Sequence, residues 1–129
     1  MTVKELNQLF YLRRELRMYE NRLREIDELH SPQFDRIGSG SGISSPVVSV
    51  AEQREKIRDI IRGKQAEIAL QEKKITEYIL SIDDSLMRQI MYERHVNLKS
   101  WRAVAQTIGG GNTEQSVLMA HKRFLRKIC

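Results

Sequence analysis

Apolar residues recur through the first thirty positions at Leu9, Leu12, Leu16, Tyr19, Leu23 and Ile26, in alternating steps of three and four. That spacing is a heptad seam and predicts one long helix over 3–30, roughly 40 Å in length. Arg13, Arg14, Glu15, Arg17 and Glu20 fill its other faces. A second seam follows. Arg54, Ile61, Ile68, Ile75 and Ile82 recur every seven residues, and Val50, Ile57, Lys64, Gln71 and Tyr78 hold the other seam position. It predicts a second helix over 50–81. Lys64 and Gln71 are polar seam residues, which cost stability but fix register or oligomer state. Gly63 weakens the helix by up to about 1 kcal/mol.

Between the two seams, Ser31-Pro32 stops the first helix, because the residue before proline avoids the helical region. Gly38 to Pro46 is rich in Gly and Ser, so 31–49 reads as a flexible connector. Two helices of similar length joined this way can fold back as an antiparallel coiled-coil hairpin occupying 1–82. Ile60, Leu70, Ile79 and Leu80 lie partly off the seam. Two helices alone would leave them uncovered, so packing on the rest of the chain or self-association is expected.

Residues 83–129 change character. Asp83-Asp84-Ser85 is a helix start, and Leu86, Ile90, Met91 and Arg94 follow at helical spacing to Val96. Asn97-Leu98-Lys99 is a turn, and Ser100 caps a short helix over 101–108. Gly109-Gly110-Gly111 ends it, and Asn112 or Thr113 caps a last helix from Glu114 to about Ile128. Val117, Ala120, His121, Phe124, Leu125 and Ile128 make the inner face of that helix. Trp101, Val104 and Ile108 point inward, Ala105 is small where the two helices cross, and Gly109 supplies a positive φ. Short helix, glycine turn and second helix make a helix-turn-helix pattern, whose second helix is free to enter a major groove.

Charge points the same way. The 129 residues carry a formal net charge of +5. Residues 1–82 are nearly balanced, with 14 basic and 13 acidic residues, whereas 83–129 hold 8 basic and 4 acidic ones. A small basic module suggests a polyanionic partner. The length allows one domain, or one small domain with an appendage. No apolar run is long enough to span a membrane, and Met1-Thr2-Val3-Lys4-Glu5-Leu6 is not a signal-peptide pattern. Cys129 is the single cysteine and cannot form an internal disulfide, so a cytoplasmic protein is expected. His30, His95 and His121 are scattered, without a cysteine partner or an HExxH spacing, so no metal site is indicated. The triple glycine lacks the Gly-Lys-Ser/Thr of a phosphate-binding loop. No paired carboxylates or nucleophile arrangement occur, so neither an enzyme nor a cofactor is expected.

Residues 82–127 resemble region 4 of the sigma-70 family. The residues that carry the likeness are Ile82-Asp83-Asp84, Leu86, Arg94, Ser100-Trp101-Arg102-Ala103-Val104-Ala105, Val117 and His121-Lys122-Arg123-Phe124-Leu125. The whole chain is similar to short phage and prophage proteins of Gram-positive bacteria, of the ArpU and RinA type that regulate late transcription. The resemblance implies an all-α fold, a long antiparallel coiled-coil hairpin followed by a three-helix helix-turn-helix domain over 83–129. It implies phosphate contacts from Arg94, Ser100 and Arg102. Glu114, Gln115, Leu118 and Met119 would face the major groove, and Arg123 would return to the backbone with Lys122 beside it. Gln115 can read adenine bidentately, whereas Leu118 and Met119 offer only apolar contacts. The stretch Gly110-Gly111-Asn112 adds about two residues to the usual turn, which shifts the start or tilt of the recognition helix.

Three functions follow from these features. One is a DNA-binding transcription regulator in the host cytoplasm, with double-stranded DNA and RNA polymerase as partners and the hairpin forming a homo-oligomer, a dimer first of all. The second is a DNA-packaging component like a small terminase subunit, although there the DNA-binding module usually precedes the oligomerisation region. The third is a protein-interaction module that binds RNA polymerase.

Overall fold

The computed structural model describes residues 1–29 and 45–128. All of its elements are helical, and no strand occurs among the described residues. The order is α1 (Val3–Leu29), α2 (Ser45–Leu80), α3 (Ser85–Met91), a π-helical turn (Tyr92–Val96), α4 (Trp101–Ile108) and α5 (Glu114–Ile128). No described helix is long and apolar enough to cross a membrane.

Thr2 and Glu5 start α1 with a reciprocal capping box. The Glu5 backbone N–H donates to Thr2 Oγ1 at 3.2 Å, and the Thr2 N–H donates to Glu5 Oε2 at 3.3 Å. The second long helix begins five residues earlier than its seam predicts, at Ser45 rather than 50. Pro46 falls in its first turn, where a backbone N–H has no intrahelical acceptor and the fixed φ suits a helix. Of the expected connector 31–49, residues 31–44 lie outside the described residues and 45–49 belong to α2.

The chain divides into two compact units, Arg13–Glu67 and Met1–Leu12 with Ile68 onward. In the first, Ile26 is buried and Leu16, Tyr19 and Leu23 are half-buried, as are Arg54, Ile57, Ile61 and Lys64 of α2. Two ion pairs join the helices in reverse sequence order, Arg54 Nε to Asp27 at 2.9 Å and Lys64 Nζ to Glu15 at 2.6 Å. Lys64 thus meets a carboxylate at the seam, and the hydrogen bond it donates to Glu15 holds its ammonium above the usual lysine range.

The second unit has the deeper core. Leu6 and Leu9 of α1, Ile75 and Ile79 of α2, Ile90 and Met91 of α3, Val104 of α4 and Val117 of α5 are all buried. Fully burying side chains of this size contributes roughly 1.5–3 kcal/mol each. Asp84 caps α3, its carboxylate accepting from the Leu86 N–H at 3.3 Å. Arg88 Nη1 donates to the carbonyls of Ile82 and Asp83 at 2.6 and 3.0 Å and so fixes the link from α2. The inward face differs from the one the spacing predicts. Met87 is buried and Leu86 is 37% exposed. The wider π turn then carries His95 and Val96 into the core, while Arg94 stays half-buried.

Candidate nucleic-acid interface

The turn before α4 is built around two basic side chains. Leu98 has φ +55°, a left-handed conformation rare for a branched residue. Arg94 Nη1 donates to the Lys99 carbonyl at 2.9 Å, and the Lys99 N–H donates to the Glu93 carbonyl at 3.1 Å. The Lys99 ammonium lies 2.6 Å from the Glu93 carboxylate, which it holds below the usual glutamate range, with help from Asn97. The Arg94 guanidinium sits 4.6 Å above the Trp101 ring, and partial burial lowers its pKa.

Ser100 then caps α4, its hydroxyl accepting from the Ala103 N–H at 3.2 Å. Gly109, Gly110 and Gly111 all take positive φ, at +67°, +63° and +81°. The turn is closed by Asn112, whose backbone N–H and Nδ2 both donate to the Gly109 carbonyl, at 3.1 and 2.9 Å. Thr113 rather than Asn112 caps α5. The Ser116 N–H donates to Thr113 Oγ1 at 3.1 Å, and the Thr113 N–H donates to Ser116 Oγ at 2.9 Å. Glu114 in the first turn complements the positive end of the helix.

Val117 and His121 anchor the inner face of α5. At about 100° per residue, Gln115, Met119 and Lys122 fall together on the opposite face. Arg126 joins them at the next step of four, and it is absent from the residues that the sigma-like resemblance implies. The same helical geometry would have found it. Glu114 and Leu118 lie to one flank of this face, and Arg123 lies to the other. Arg102 is exposed in the first turn of α4. Among the described residues, Arg102, Lys122 and Arg126 make no ion pair. Ser100 and Arg94 differ from them, since both hold the turn and the start of α4 in place.

Behind this face lies a buried polar chain that residue spacing does not reveal. His95 and His121, 26 positions apart, are 6% and 7% exposed, and their Nε2 atoms are 2.8 Å apart. One of the two Nε2 atoms donates to the other across this contact, and the Leu6 backbone lies beside His95. The Trp101 ring meets His121 edge-on at 4.7 Å. Burial pushes both imidazoles down to about 4; the His121 ring and Arg94 add to the shift of His95, and Arg94 to that of His121. The pair is therefore neutral at pH 7 and ties α1, the π turn and α5 together. No group of three metal-binding side chains occurs among the described residues. Compared with protein-family models, curated proteins and solved structures, the chain finds no match.

Proposed function

We propose that this chain is a DNA-binding transcription regulator of the phage and prophage type, acting in the bacterial cytoplasm. In this account α4, the glycine turn and α5 are a sigma region-4-like helix-turn-helix, and α5 lies in the major groove of double-stranded DNA. The single observation that carries the proposal is the outer face of α5. It combines a base-reading amide, Gln115, with the exposed cations Lys122 and Arg126, and no carboxylate among the described residues neutralises either cation. Arg102, exposed at the start of α4, is placed on the other helix of the pair, where a phosphate contact fixes the docking register.

Arg94 and Ser100 serve the same docking indirectly, by holding the turn that sets the start of α4. The long helices form an antiparallel coiled-coil hairpin, supported by the reversed ion pairs, that mediates oligomerisation and presents RNA polymerase with a second surface. An anisotropy titration of duplex DNA against salt tests the docking face. Lys122→Ala with Arg126→Ala should weaken binding to all sequences and flatten the slope of log K against log salt by about 2, near 0.9 per phosphate contact. Equal affinity and slope in wild type and double variant would reject this face.

A further inference from the structure

A pocket of about 170 Å³ opens beside α1. Asn7, Phe10 and Tyr11 line it from α1, and Arg94, His95 and Leu98 line it from the π turn and the residues after it. All six belong to one compact unit. Arg94 is the only one of them charged at pH 7, since His95 is buried and titrates at about 4. Arg94 is half-buried, and no carboxylate among the described residues pairs with it. The Trp101 ring covers one face of its guanidinium, and Nη1 donates to the Lys99 carbonyl. Its other N–H groups have no protein acceptor among the described residues. A cation held half out of water without a counter-charge is an ion pair lacking its second member. The aromatic lining is also left in water. Phe10 and Tyr11 meet edge to face, with centroids 5.3 Å apart and planes at 82°, yet they are 41% and 63% exposed.

We propose that this pocket binds a single-ring aromatic carboxylate, its carboxylate on the guanidinium edge of Arg94 and its ring against Phe10 and Tyr11. Charge selects an anion, because Arg94 is the only charged lining group. The planar, forked donor set of a guanidinium matches a carboxylate, which accepts two parallel N–H bonds. Size limits the rest of the ligand. A cavity of roughly 150 Å³ accepts benzene, so 170 Å³ holds one ring with its acid group and is too small for a nucleotide. The lining selects an aromatic ring, which can add a further edge-to-face or offset contact to the Phe10–Tyr11 pair. Inorganic phosphate would satisfy Arg94 and leave both rings uncovered. The Asn7 amide supplies a neutral hydrogen-bonding group beside the cation. The inference does not depend on DNA binding, because its readout needs only protein and ligand.

An NMR titration of the isotope-labelled full chain with sodium benzoate tests it, with benzamide and inorganic phosphate titrated for comparison. Arg94 also holds the turn before α4, so the variants are placed on α1, as Asn7→Asp and Tyr11→Ala. Both positions are exposed, so unchanged thermal melts are expected. Benzoate should shift the amide signals of Asn7, Tyr11 and Leu98 and saturate with a Kd below about 1 mM. Benzamide, which keeps the ring and loses the charge, should bind at least about tenfold more weakly, and so should phosphate, which keeps charge and loses the ring. Asn7→Asp puts a carboxylate in the pocket that competes for Arg94 and repels the ligand, and should weaken benzoate at least about tenfold. Tyr11→Ala removes one aromatic wall and should weaken benzoate by several-fold. The proposal is overturned by no saturable shift at these residues up to about 10 mM benzoate, by benzamide or phosphate binding as tightly as benzoate, or by either variant binding benzoate like wild type.

Discussion

Acidification should destabilise this protein through its two buried histidines. Both rings titrate at about 4 in the folded chain, against 6.5 in an exposed histidine. The folded state therefore binds fewer protons than the unfolded state between those values. Stability from the pair is complete above pH 6.5 and is lost as pH falls toward 4. At pH 5 an unfolded histidine is mostly protonated and the buried one is not, a difference of about 2 kcal/mol per ring. The rings share one Nε2–Nε2 bond, so they cannot both gain a proton there without breaking it. The expected loss from pH 7.5 to pH 5 is about 2–4 kcal/mol, a large part of the 5–15 kcal/mol typical of a domain. Urea denaturation at the two pH values measures it. Carboxylates contribute their own pH dependence, so the control is His95→Leu with His121→Leu, which removes the pair and keeps an apolar filling. The double variant should stay within about 1 kcal/mol of wild type at pH 7.5, because both partners of the buried bond are replaced by apolar groups, and fall less steeply on acidification. Identical pH profiles for wild type and double variant would refute the argument.

Two further substitutions probe the backbone. Gly63→Ala should stabilise α2 by about 0.5–1 kcal/mol, since the added methyl meets no atom within 4 Å and alanine loses less entropy in a helix; thermal melts measure it. Gly109→Ala should cost about 1–3 kcal/mol despite equal space, because φ of +67° with ψ of −146° strains an L side chain; a lowered urea midpoint is the expected sign. Ser100→Ala removes the cap of α4 and should cost about 1 kcal/mol, visible in the same denaturation curves.

Some of this architecture is plain in the residue order and some is not, for physical reasons. The α2 seam could be read directly: Arg54, Ile57, Ile61, Lys64, Ile68, Gln71, Ile75 and Tyr78 are each buried or half-buried. A period of seven survives any detail of packing. The same holds for Ser100, Gly109 and the span of α5, whose local chemistry decides them. The start of α2 was hidden because Ser45-Pro46 reads equally as the end of a loop or as the first turn of a helix. His95 replaces Arg94 on the inner face because the π turn changes the helical period, and no spacing rule anticipates that insertion; Met87 rather than Leu86 is buried because it stands three and four residues before the buried Ile90 and Met91. The His95–His121 bond requires the packed positions of three elements, so two scattered histidines gave no sign of it. At the candidate interface the residues facing outward on α5 follow from 100° per residue. The structural use of Arg94 does not, since its acceptor is the carbonyl of a turn.

Docking of α5 in duplex DNA is tested by selection from a random duplex library with the purified full chain at near-physiological salt. Enrichment of one motif is expected, which Gln115→Ala relaxes at a single position, costing about 1–3 kcal/mol there. Retention of no duplex, at a concentration where the protein is folded, would contradict it.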